Sequence, residues 1–546
     1  MEPPGWKLTS AAPLGDNYGS RSSRGAALGN TSGFTAGTVV NTTPQQSDLD
    51  SATDRHASDT SLPSDTSQAS RDSLSSGTPR PFSIPLPSDI PPPPETEPST
   101  IASRSSGTSL PSGAVYALFI LFVINTLNFF DRQLPGSLGE PIRKEFHLSD
   151  TGLGLLGTVF TLVYAAVGLP IGRLSDRWLR TRLVAIGTAF WSLLTAATGL
   201  AQTHTQLFIS RLGVGVGEAV CAPAGQSLIG DLFPPHQRAR AMGVFMLGLP
   251  AGVFLGYSCA GAIGAAWGWR AAFLVACLPG LLFALLALRI REPVRGALDA
   301  TAVPASLTAS PYLAVLKIPT MWWIILSGIF HNFNMYAINS FQTPFLQRFH
   351  QMSLKDASNV SAICVGAVGA IGLLAGGWLS DKIAARRRHG RLLLSACCMA
   401  LAAPAIFLAL HQPKGAIGPF MVLMMVGTIM LYVYYATVYA AIQDVIAPQL
   451  RGTAVAIYFC GMYVCGASFG PVATGMLSDH FAHQAMLAAG ATALTEAFKA
   501  TGLHEAMYAI PVLATLASLV LFAAARSAAL IRPSPPPSHL QSAPPG

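Results

Sequence analysis

The sequence has few charged residues and lacks several short motifs that carry enzyme chemistry. Asp, Glu, Lys and Arg make up 11% of its 546 residues, whereas an average soluble domain has about 25%. It contains no G-x-x-x-x-G-K-[ST] phosphate loop and no H-E-x-x-H zinc motif, which argues against a built-in P-loop ATPase and a zinc peptidase. We therefore expect neither a soluble globular domain nor an enzyme.

Cysteine is also scarce, and it shows no ligand pattern. All eight cysteines lie within or beside apolar stretches, and none stands in a C-x-x-C or Cys/His arrangement. This distribution predicts neither a disulfide framework nor a zinc site. His331, inside an apolar run, has no second ligand at metal-binding spacing, so no metal and no cofactor are expected.

The charges that are present divide the chain into two unlike parts. Residues 1–112 hold eleven of the 26 acidic residues among Ser, Thr, Pro and Gly, and they show no apolar periodicity. Such a segment cannot bury enough apolar surface to fold, so we predict a disordered cytoplasmic tail. In the rest of the chain, Lys and Arg are scattered between hydrophobic runs, which suits membrane loops better than a nucleic-acid-binding face.

Twelve apolar runs follow the tail, each long enough to cross a membrane as a helix of about 20 residues. The runs are 114–137, 151–172, 183–202, 206–230, 239–264, 271–290, 320–345, 357–379, 391–411, 418–441, 452–476 and 505–527. If both termini are cytoplasmic, the cytoplasmic loops hold sixteen Lys and Arg against eight on the other side. Because short basic loops stay in the cytoplasm, we predict this orientation, in a cell or inner membrane.

Two polar segments occur twice in the chain. Gly172-Arg-Leu-Ser-Asp176 is matched by Gly377-Trp-Leu-Ser-Asp381, and the pattern Asp-x-x-x-Pro-x-x-Arg-x-x-Ala occurs at 231–241 and at 444–454. Both pairs lie six runs apart and in the same order. This arrangement indicates two related halves of six helices each.

The duplication predicts an all-α membrane protein with twelve transmembrane helices in two six-helix bundles. We place the first bundle at 113–292 and the second at 320–528. Between them, 293–319 contains several charges and prolines and is predicted to be a cytoplasmic linker. Residues 529–546 are predicted to form a disordered C-terminal tail.

The repeated loop also resembles a known family. The stretch Gly172-Arg-Leu-Ser-Asp176-Arg177 is similar to the loop 2–3 signature of the major facilitator superfamily, and Arg211-x-x-x-Gly215 resembles its helix 4 signature. Within that superfamily, Asn128-Phe-Phe-Asp131-Arg132 and Arg211-Leu-Gly-Val-Gly-Val-Gly-Glu218 look like the spinster-like branch. The resemblance implies a transporter with the major facilitator fold.

The resemblance implies gating roles for the loops. In the family, the acid that resembles Asp176 latches against the start of helix 11, here near 451–454, and holds the cytoplasmic side shut. Asp381 would act likewise at the start of helix 5, near 238–241, because a helix N-terminus attracts a carboxylate. The alternative is that both acids are solvated turn residues. The candidate gating residues are Gly172, Asp176, Arg177, Arg180, Gly377, Asp381, Arg238 and Arg451.

Away from their ends, the apolar runs of the first half contain four charged residues. Arg211 and Glu218 are seven residues apart and therefore share one helix face. Since a charge facing lipid costs about 2.5 to 3.5 kcal/mol, we expect them to face a central cavity, or to form an ion pair that serves packing. Asp131 and Arg132 are either interfacial or face the same cavity. In spinster-like transporters the residues resembling Asp131, Arg211 and Glu218 are implicated in proton coupling and substrate engagement, and the resemblance implies these roles here.

The seventh run is unusually polar for a membrane helix. His331, Asn334 and Asn339 fall roughly on one side of it. They either line the cavity and bind a polar head group or form hydrogen bonds between helices. His331 and Asn334 join the candidate substrate and proton-coupling residues.

These features predict a secondary active transporter that moves a small amphipathic or anionic solute by alternating access, driven by protons. We expect a monomer in the lipid bilayer, with no nucleic acid as partner. The resemblance favours a lysolipid-like solute, although an organic anion or a sugar acid would need the same cation at Arg211. A membrane sensor that kept the fold without transporting remains an alternative.

Overall fold

Every regular element that the structure describes is a helix. The structure is a computed structural model, and it describes residues 113–295, 311–387, 389–447 and 450–530. The helices are α1 (Ala114–Ser137), α2 (Gly139–Phe146), α3 (Asp150–Arg177), α4 (Arg180–Gly199), α5 (His204–Glu218), α6 (Cys221–Leu232), α7 (Pro235–Met246), α8 (Gly248–Trp267), α9 (Trp269–Ala287), α10 (Pro311–Leu316), α11 (Pro319–Arg348), α12 (Leu354–Ser361), α13 (Val368–Ala384), α14 (Gly390–Leu410), α15 (Ile417–Val445), α16 (Arg451–Gly461), α17 (Phe469–Ala488), α18 (Glu496–Met507) and α19 (Ala509–Leu530).

The predicted tails and most of the predicted linker lie outside the described residues. This applies to 1–112, to 296–310 and to 531–546, so their assignment stays a prediction. The short helix α10 falls within the predicted linker 293–319. The beginning of the predicted C-terminal tail, at 529–530, is still part of α19.

All twelve predicted runs coincide with helices, and the all-helical membrane fold is confirmed. Among the described residues, ten helical segments have the length and hydropathy of a membrane span. The other two predicted spans coincide with α4, with 20 residues, and α11, with 30, which are not among these ten. Basic residues at the start of α4 and the polar side chains of α11 lower their hydropathy. Two short helices, α2 and α10, were not predicted.

Prolines account for three interruptions within the spans. A proline lacks an N–H group and clashes with the carbonyl four residues earlier, so a helix tends to stop there. Helices α5, α7 and α18 stop at Glu218, Met246 and Met507, four or five residues before Pro223, Pro250 and Pro511. The first of these breaks leaves Glu218 halfway along the span His204–Leu232.

Two π-helical segments interrupt spans of the second bundle. Ala362–Ala367 joins α12 to α13, and Met462–Ala467 joins α16 to α17. Each segment packs against the first bundle, the former against α8 and the latter against α3. π-Helical turns are rare and are frequently found at functional sites. Here they lie where the two bundles meet.

The two bundles pack along two seams that small residues make possible. One seam joins α3 to α17, and the other joins α8 to α12 and its π segment. A Cβ atom on Gly366 would lie 2.5 Å from the Cα of Phe254, and one on Gly154 would collide with the backbone of Pro471. These glycines therefore allow the backbones of the two bundles to touch.

Among the residues that the structure describes, the ion pairs and caps that join the bundles lie on one side of the molecule. The starts of α1 and α11 lie beside the ends of α9 and α19, as the hydrogen bonds Tyr116–Leu286 and Thr320–Ser527 show. We call this the termini side. On α3, Gly154 near the other side is tightly packed, whereas a Cβ on Gly172 near the termini side would meet nothing within 4 Å. Among the described residues, the hydrogen bonds and ring contacts of α3 with the second bundle run from Asp150 to Tyr164. We call the space between the bundles beyond them, toward the termini side, the crevice.

Glycine substitutions on α3 test this closure. We expect Gly154→Leu to lower the stability of the protein by about 1 to 3 kcal/mol, because the larger side chain separates the bundles. Gly168→Leu, four turns away on the same helix, is the control, because a side chain there has open space. Thermal unfolding in detergent measures both. Equal midpoints for the two variants would show that the seam is not held at Gly154.

Candidate functional site

Four buried charges meet where α1 and α5 cross the centre of the first bundle. Asp131 and Arg132 come from α1, and Arg211 and Glu218 come from α5. The side chains of Arg132 and Glu218 are 6% and 0% exposed, and Asp131 and Arg211 are buried as well. The two acids balance the two bases, so the cluster carries no net formal charge.

Arg132 and Glu218 form the direct ion pair of this cluster. Arg132 Nε lies 2.8 Å from Glu218 Oε2, and Arg132 Nη2 donates a 3.0 Å hydrogen bond to Asn128 Oδ1. The guanidinium also lies over the ring of Tyr164, 4.4 Å from its centroid. Glu218 Oε1 has no hydrogen-bond partner among the described residues. Glu218 therefore has one oxygen committed to Arg132 and one that can take a proton.

Asp131 and Arg211 complete the cluster without a direct hydrogen bond to each other. Thr195 donates a 3.2 Å hydrogen bond to Asp131 Oδ2. Arg211 interacts electrostatically with both acids, and its guanidinium lies 5.4 Å from the ring centroid of Phe160. Within the described part of the chain, Arg211 Nε and Nη1 have no hydrogen-bond partner. The cluster thus holds a guanidinium with unused donors beside two carboxylates.

Small residues on α5 bring α4 close enough to reach this cluster. A Cβ on Gly217 would lie 2.8 Å from the Cβ of Trp191, and one on Gly187 would lie 3.1 Å from the Gly217 carbonyl. This close approach of the two helices brings Thr195, one turn beyond Trp191, within reach of Asp131. The G-x-x-x-G step at Gly213 and Gly217 therefore lets α4 and α5 pack closely, and this packing places Thr195 so that it orients Asp131.

His331 and Asn334 do not join the four charges. Asn334 Nδ2 donates a 3.1 Å hydrogen bond to the Ile510 carbonyl on α19, which is the inter-helix alternative. His331 is fully buried and stacks on Tyr434 with ring centroids 3.9 Å apart. Both side chains point into the second bundle, because the polar side of α11 packs on α15 and α19.

A group of tyrosines, which sequence reasoning missed, faces Arg132 from the second bundle. Tyr336 on α11 and Tyr463 in the π segment lie close to Arg132 and to Tyr164 of α3. Tyr435 and Tyr439 extend the group along α15. The sequence does contain a signal for this group, the tyrosine-rich stretch Leu-Tyr-Val-Tyr-Tyr-Ala-Thr-Val-Tyr at 431–439.

On the termini side, the repeated segments form equivalent ion pairs within each bundle. Arg180 pairs with Asp231 and with Glu292, 2.7 Å away. Arg391 pairs in the same way with Asp444, at 2.6 Å. Burial alone would raise the pKa of Glu292, but hydrogen bonds from the Thr181 backbone and from Arg180 outweigh it and lower that pKa. The duplicated motifs thus hold the helix ends of their own bundle together.

The expected termini-side latches are not formed in this conformation. Asp176 is exposed, as is Arg177, and the Asp176 carboxylate has no hydrogen bond or ion pair among the residues described. Asp381 is bound by Arg391 of its own bundle at 3.1 Å. Arg238 and Arg451 do lie in the first turns of α7 and α16.

A latch of the expected kind closes the side opposite the termini. Asp479 on α17 accepts hydrogen bonds from the backbone N–H groups of Asp150 and Thr151, at 3.0 and 2.9 Å, and so caps α3 of the other bundle. Ser478 donates to Asp150 at 2.6 Å. These residues belong to Gly475-Met-Leu-Ser-Asp479, a third copy of the Gly-x-Leu-Ser-Asp pattern. The sequence therefore contained the signal for this latch.

Buried ion pairs reinforce the same closed side. Arg348 of α11 binds both carboxylate oxygens of Asp150 at 2.8 Å, and its Nε lies 2.6 Å from Glu140 on α2. Arg143 of α2 binds Glu140 and also Glu496 on α18. The pairs of Arg348 with Asp150 and Glu140, and of Arg143 with Glu496, cross between the bundles. Separating the bundles on this side would therefore leave buried charges without partners.

Removal of the Asp479 cap should loosen the closed side. We expect Asp479→Ala to broaden the distance between spin labels at Lys144 and Lys355 toward larger values, because a lost cap costs about 1 kcal/mol. Both label sites are exposed, and they lie on different bundles. The measurement uses a background in which the native cysteines are replaced.

Asp356→Ala is the matched control for this variant. Asp356 lies in the first turn of α12 and bonds only within its own turn, through Ser353. Its loss should leave the label distance unchanged. A distance distribution in Asp479→Ala that equals the parent's would refute the latch.

The closed side should also resist acid. Burial alone would raise the pKa of Glu140, but the hydrogen bond from Arg143 and the charge of Arg348 outweigh it and hold that pKa at about 2. A carboxylate with a lowered pKa stabilises the fold above its ordinary pKa and loses this contribution as the pH falls through the lowered value. The label distance should therefore stay constant from about pH 8 to about pH 5, and a widening in that range would contradict the ion-pair assignment.

Two bundles of six spans, with buried charges at the centre and a crevice closed on one side, define a multi-pass membrane transporter. The family model described as Major Facilitator Superfamily matches residues 121–471. The chain belongs to the major facilitator superfamily and to its spinster-like branch.

Individual relatives agree with this family. An "MFS-type efflux pump" of Mycolicibacterium smegmatis is 32% identical over 372 residues, which cover 68% of this chain and 85% of that protein. A "Probable L-galactonate transporter" of Escherichia coli is 28% identical over 66% of this chain and 83% of its own length. "Protein spinster homolog 1" of Xenopus laevis is 30% identical over 67% of this chain and 73% of that protein.

A solved structure shows the same architecture. It is titled a bacterial homolog to human lysosomal transporter, Spinster, in inward-facing and unoccupied conformation. The two chains superpose with a TM-score of 0.70 at 30% identity, over 78% of this chain and 99% of the other. The similarity covers the helical region and supports the fold assignment above.

Proposed function

We propose that this protein is a secondary active transporter that moves an anionic small molecule by alternating access, together with protons. The observation that carries the proposal is the asymmetry of the interface. One side is closed by Asp479 and by the Arg348 ion pairs, the other is open, and the four buried charges lie between them. A binding site with one closed and one open entrance is the structural requirement of alternating access.

The central ion pair gives a route for coupling. Arg132 needs a negative partner in its buried position, and Glu218 supplies it while it is ionised. If Glu218 takes a proton, an anionic solute can replace it as the partner of Arg132, and the charge of the site stays the same. A proton and an anion therefore enter and leave together. Arg211 lies near both acids, and its Nε and Nη1 have no hydrogen-bond partner among the described residues. Its positive charge balances Asp131, the acid that stays ionised.

Two other copies of the Gly-x-Leu-Ser-Asp pattern serve to close the termini side in the other half of the transport cycle. When the bundles rock, we propose that Asp176 and Asp381 dock on the starts of α16 and α7 as Asp479 now docks on α3. The basic residues concentrated on the termini side favour a cytoplasmic location for both termini, so the conformation described is inward-open.

Two classes of anionic solute fit this proposal. The spinster resemblance supports a lysolipid-like solute, and the relative named for L-galactonate supports a sugar acid. Both are anions or carry an anionic group, so both satisfy the requirement of Arg132. A sensor without transport would keep the latches and show no flux.

Uptake into proteoliposomes tests the coupling. The panel is lysophosphatidate, L-galactonate and 4-hydroxybenzoate, each with and without a pH gradient. Arg132→Ala should reduce uptake at least about tenfold, since it removes a charge-assisted contact to the anion. Glu218→Gln should retain uptake but lose its dependence on the gradient, because Gln cannot exchange a proton.

Glu145→Gln is the control for the Glu218→Gln variant. Glu145 bonds to Arg270 and Trp269 on the side opposite the termini, away from the crevice, and is about half exposed. This variant should keep the gradient dependence of the parent. A Glu218→Gln protein that still responds to the gradient would remove Glu218 from the mechanism, and absence of flux for every solute would favour the sensor.

A further inference from the structure

Five tyrosines form the aromatic floor of the crevice. We call Tyr164, Tyr336, Tyr435, Tyr439 and Tyr463 the tyrosine floor; each is partly exposed although each lies midway along a membrane-spanning helix. Tyr164 and Tyr463 have ring centroids 5.4 Å apart, Tyr336 and Tyr463 6.4 Å, and Tyr435 and Tyr439 5.8 Å. The rings are tilted or edge-on to one another. The Arg132 guanidinium lies over the Tyr164 ring, so a bound molecule can contact the partly exposed rings of the second bundle.

The floor is built from both bundles, and Tyr463 links them. Tyr164 belongs to α3 of the first bundle, whereas the other four belong to the second. The Tyr463 carbonyl accepts hydrogen bonds from the backbone N–H and from the hydroxyl of Ser468, at 3.0 and 2.8 Å. The Ser468 carbonyl in turn accepts from Thr158 of α3. The π segment therefore fixes Tyr463 at the junction, opposite Tyr164.

A cation lies at the edge of this floor. The Arg132 guanidinium stands over the Tyr164 ring at 4.4 Å. An anionic group held by Arg132 would place the rest of a small molecule against Tyr336 and Tyr463, which face Arg132 from the second bundle. The site thus combines one anion contact with adjoining aromatic faces and phenol hydroxyls.

This combination selects among anionic solutes. Aromatic rings gain from offset-stacked and edge-to-face contacts beyond simple burial, and they do so at the ring spacings found here. An alkyl chain in the same place would gain no such ring–ring contacts. An open-chain sugar acid could satisfy the hydroxyls but would not use the ring faces.

We propose that the solute is a compact anion that carries an aromatic ring, with its acid group at Arg132 and its ring against the exposed part of Tyr463. The assignment rests on the proposed function of the same crevice and names the solute class for it. Tyr463 is the residue that determines this specificity, because it brings the second bundle onto the ring.

Equilibrium binding to the full-length protein in nanodiscs tests the assignment. The probes are three aromatic carboxylates (benzoate, phenylacetate and 4-hydroxybenzoate), L-galactonate and lysophosphatidate, at mildly acidic pH and without a gradient. We expect the aromatic carboxylates to bind most tightly. Tyr463→Leu, which removes the ring, should raise their Kd at least about tenfold, whereas Tyr463→Phe, which keeps it, should stay within about threefold of the parent.

Tyr508→Leu is the matched control. Tyr508 contacts Phe407 and His504 near the side opposite the termini, away from the floor. Its loss should leave the Kd unchanged. Equal Kd values for Tyr463→Leu and Tyr463→Phe, tighter binding of lysophosphatidate or L-galactonate, or no binding of any aromatic carboxylate would overturn the assignment.

The two proposals fail separately. Ring-selective binding without gradient-driven uptake would overturn the proposed coupling and leave the solute class intact. Gradient-driven uptake of lysophosphatidate or L-galactonate in preference to the aromatic acids would overturn the solute class and leave the coupling intact.

Discussion

A buried charge in a membrane protein needs a partner, and most of this structure follows from that requirement. At the centre, Arg132 is neutralised by Glu218 across two helices of the first bundle. On the closed side, Arg348 is neutralised by Asp150 and Glu140 across the two bundles. In the proposed cycle, the central pair exchanges one partner for a proton and a solute. The peripheral pairs can be broken only by moving a bundle.

One short sequence pattern shows how such a movement can be reversible. In Gly475–Asp479 the glycine lets two backbones touch, the serine donates to Asp150, and the aspartate caps a helix of the other bundle. The copies that end at Asp176 and Asp381 have the same residues but stand undocked at the open side. Docking by helix capping costs little to undo, because each cap is worth about 1 kcal/mol. A transporter needs closed states of that modest stability.

The two bundles have become chemically different at equivalent places. The first and fourth spans of the first bundle carry Asp131, Arg132, Arg211 and Glu218. The corresponding spans of the second bundle, α11 and α15, carry tyrosines and the buried His331 that stacks on Tyr434. The first bundle thus supplies charge, and the second supplies aromatic surface. A solute between them contacts both, which couples its binding to the relative position of the bundles.

The sequence by itself predicted twelve apolar runs, which all coincide with helices, and the burial of four charges, because hydropathy and local motifs are properties of consecutive residues. It left open whether Asp131 and Arg132 were interfacial, whether Asn334 faced the crevice, and which acid would be docked. Those outcomes depend on contacts between residues far apart in the chain, such as Arg132 with Glu218 and Asp479 with α3. Only the tertiary structure decided them, because the partner of a buried charge is chosen by which helices pack together.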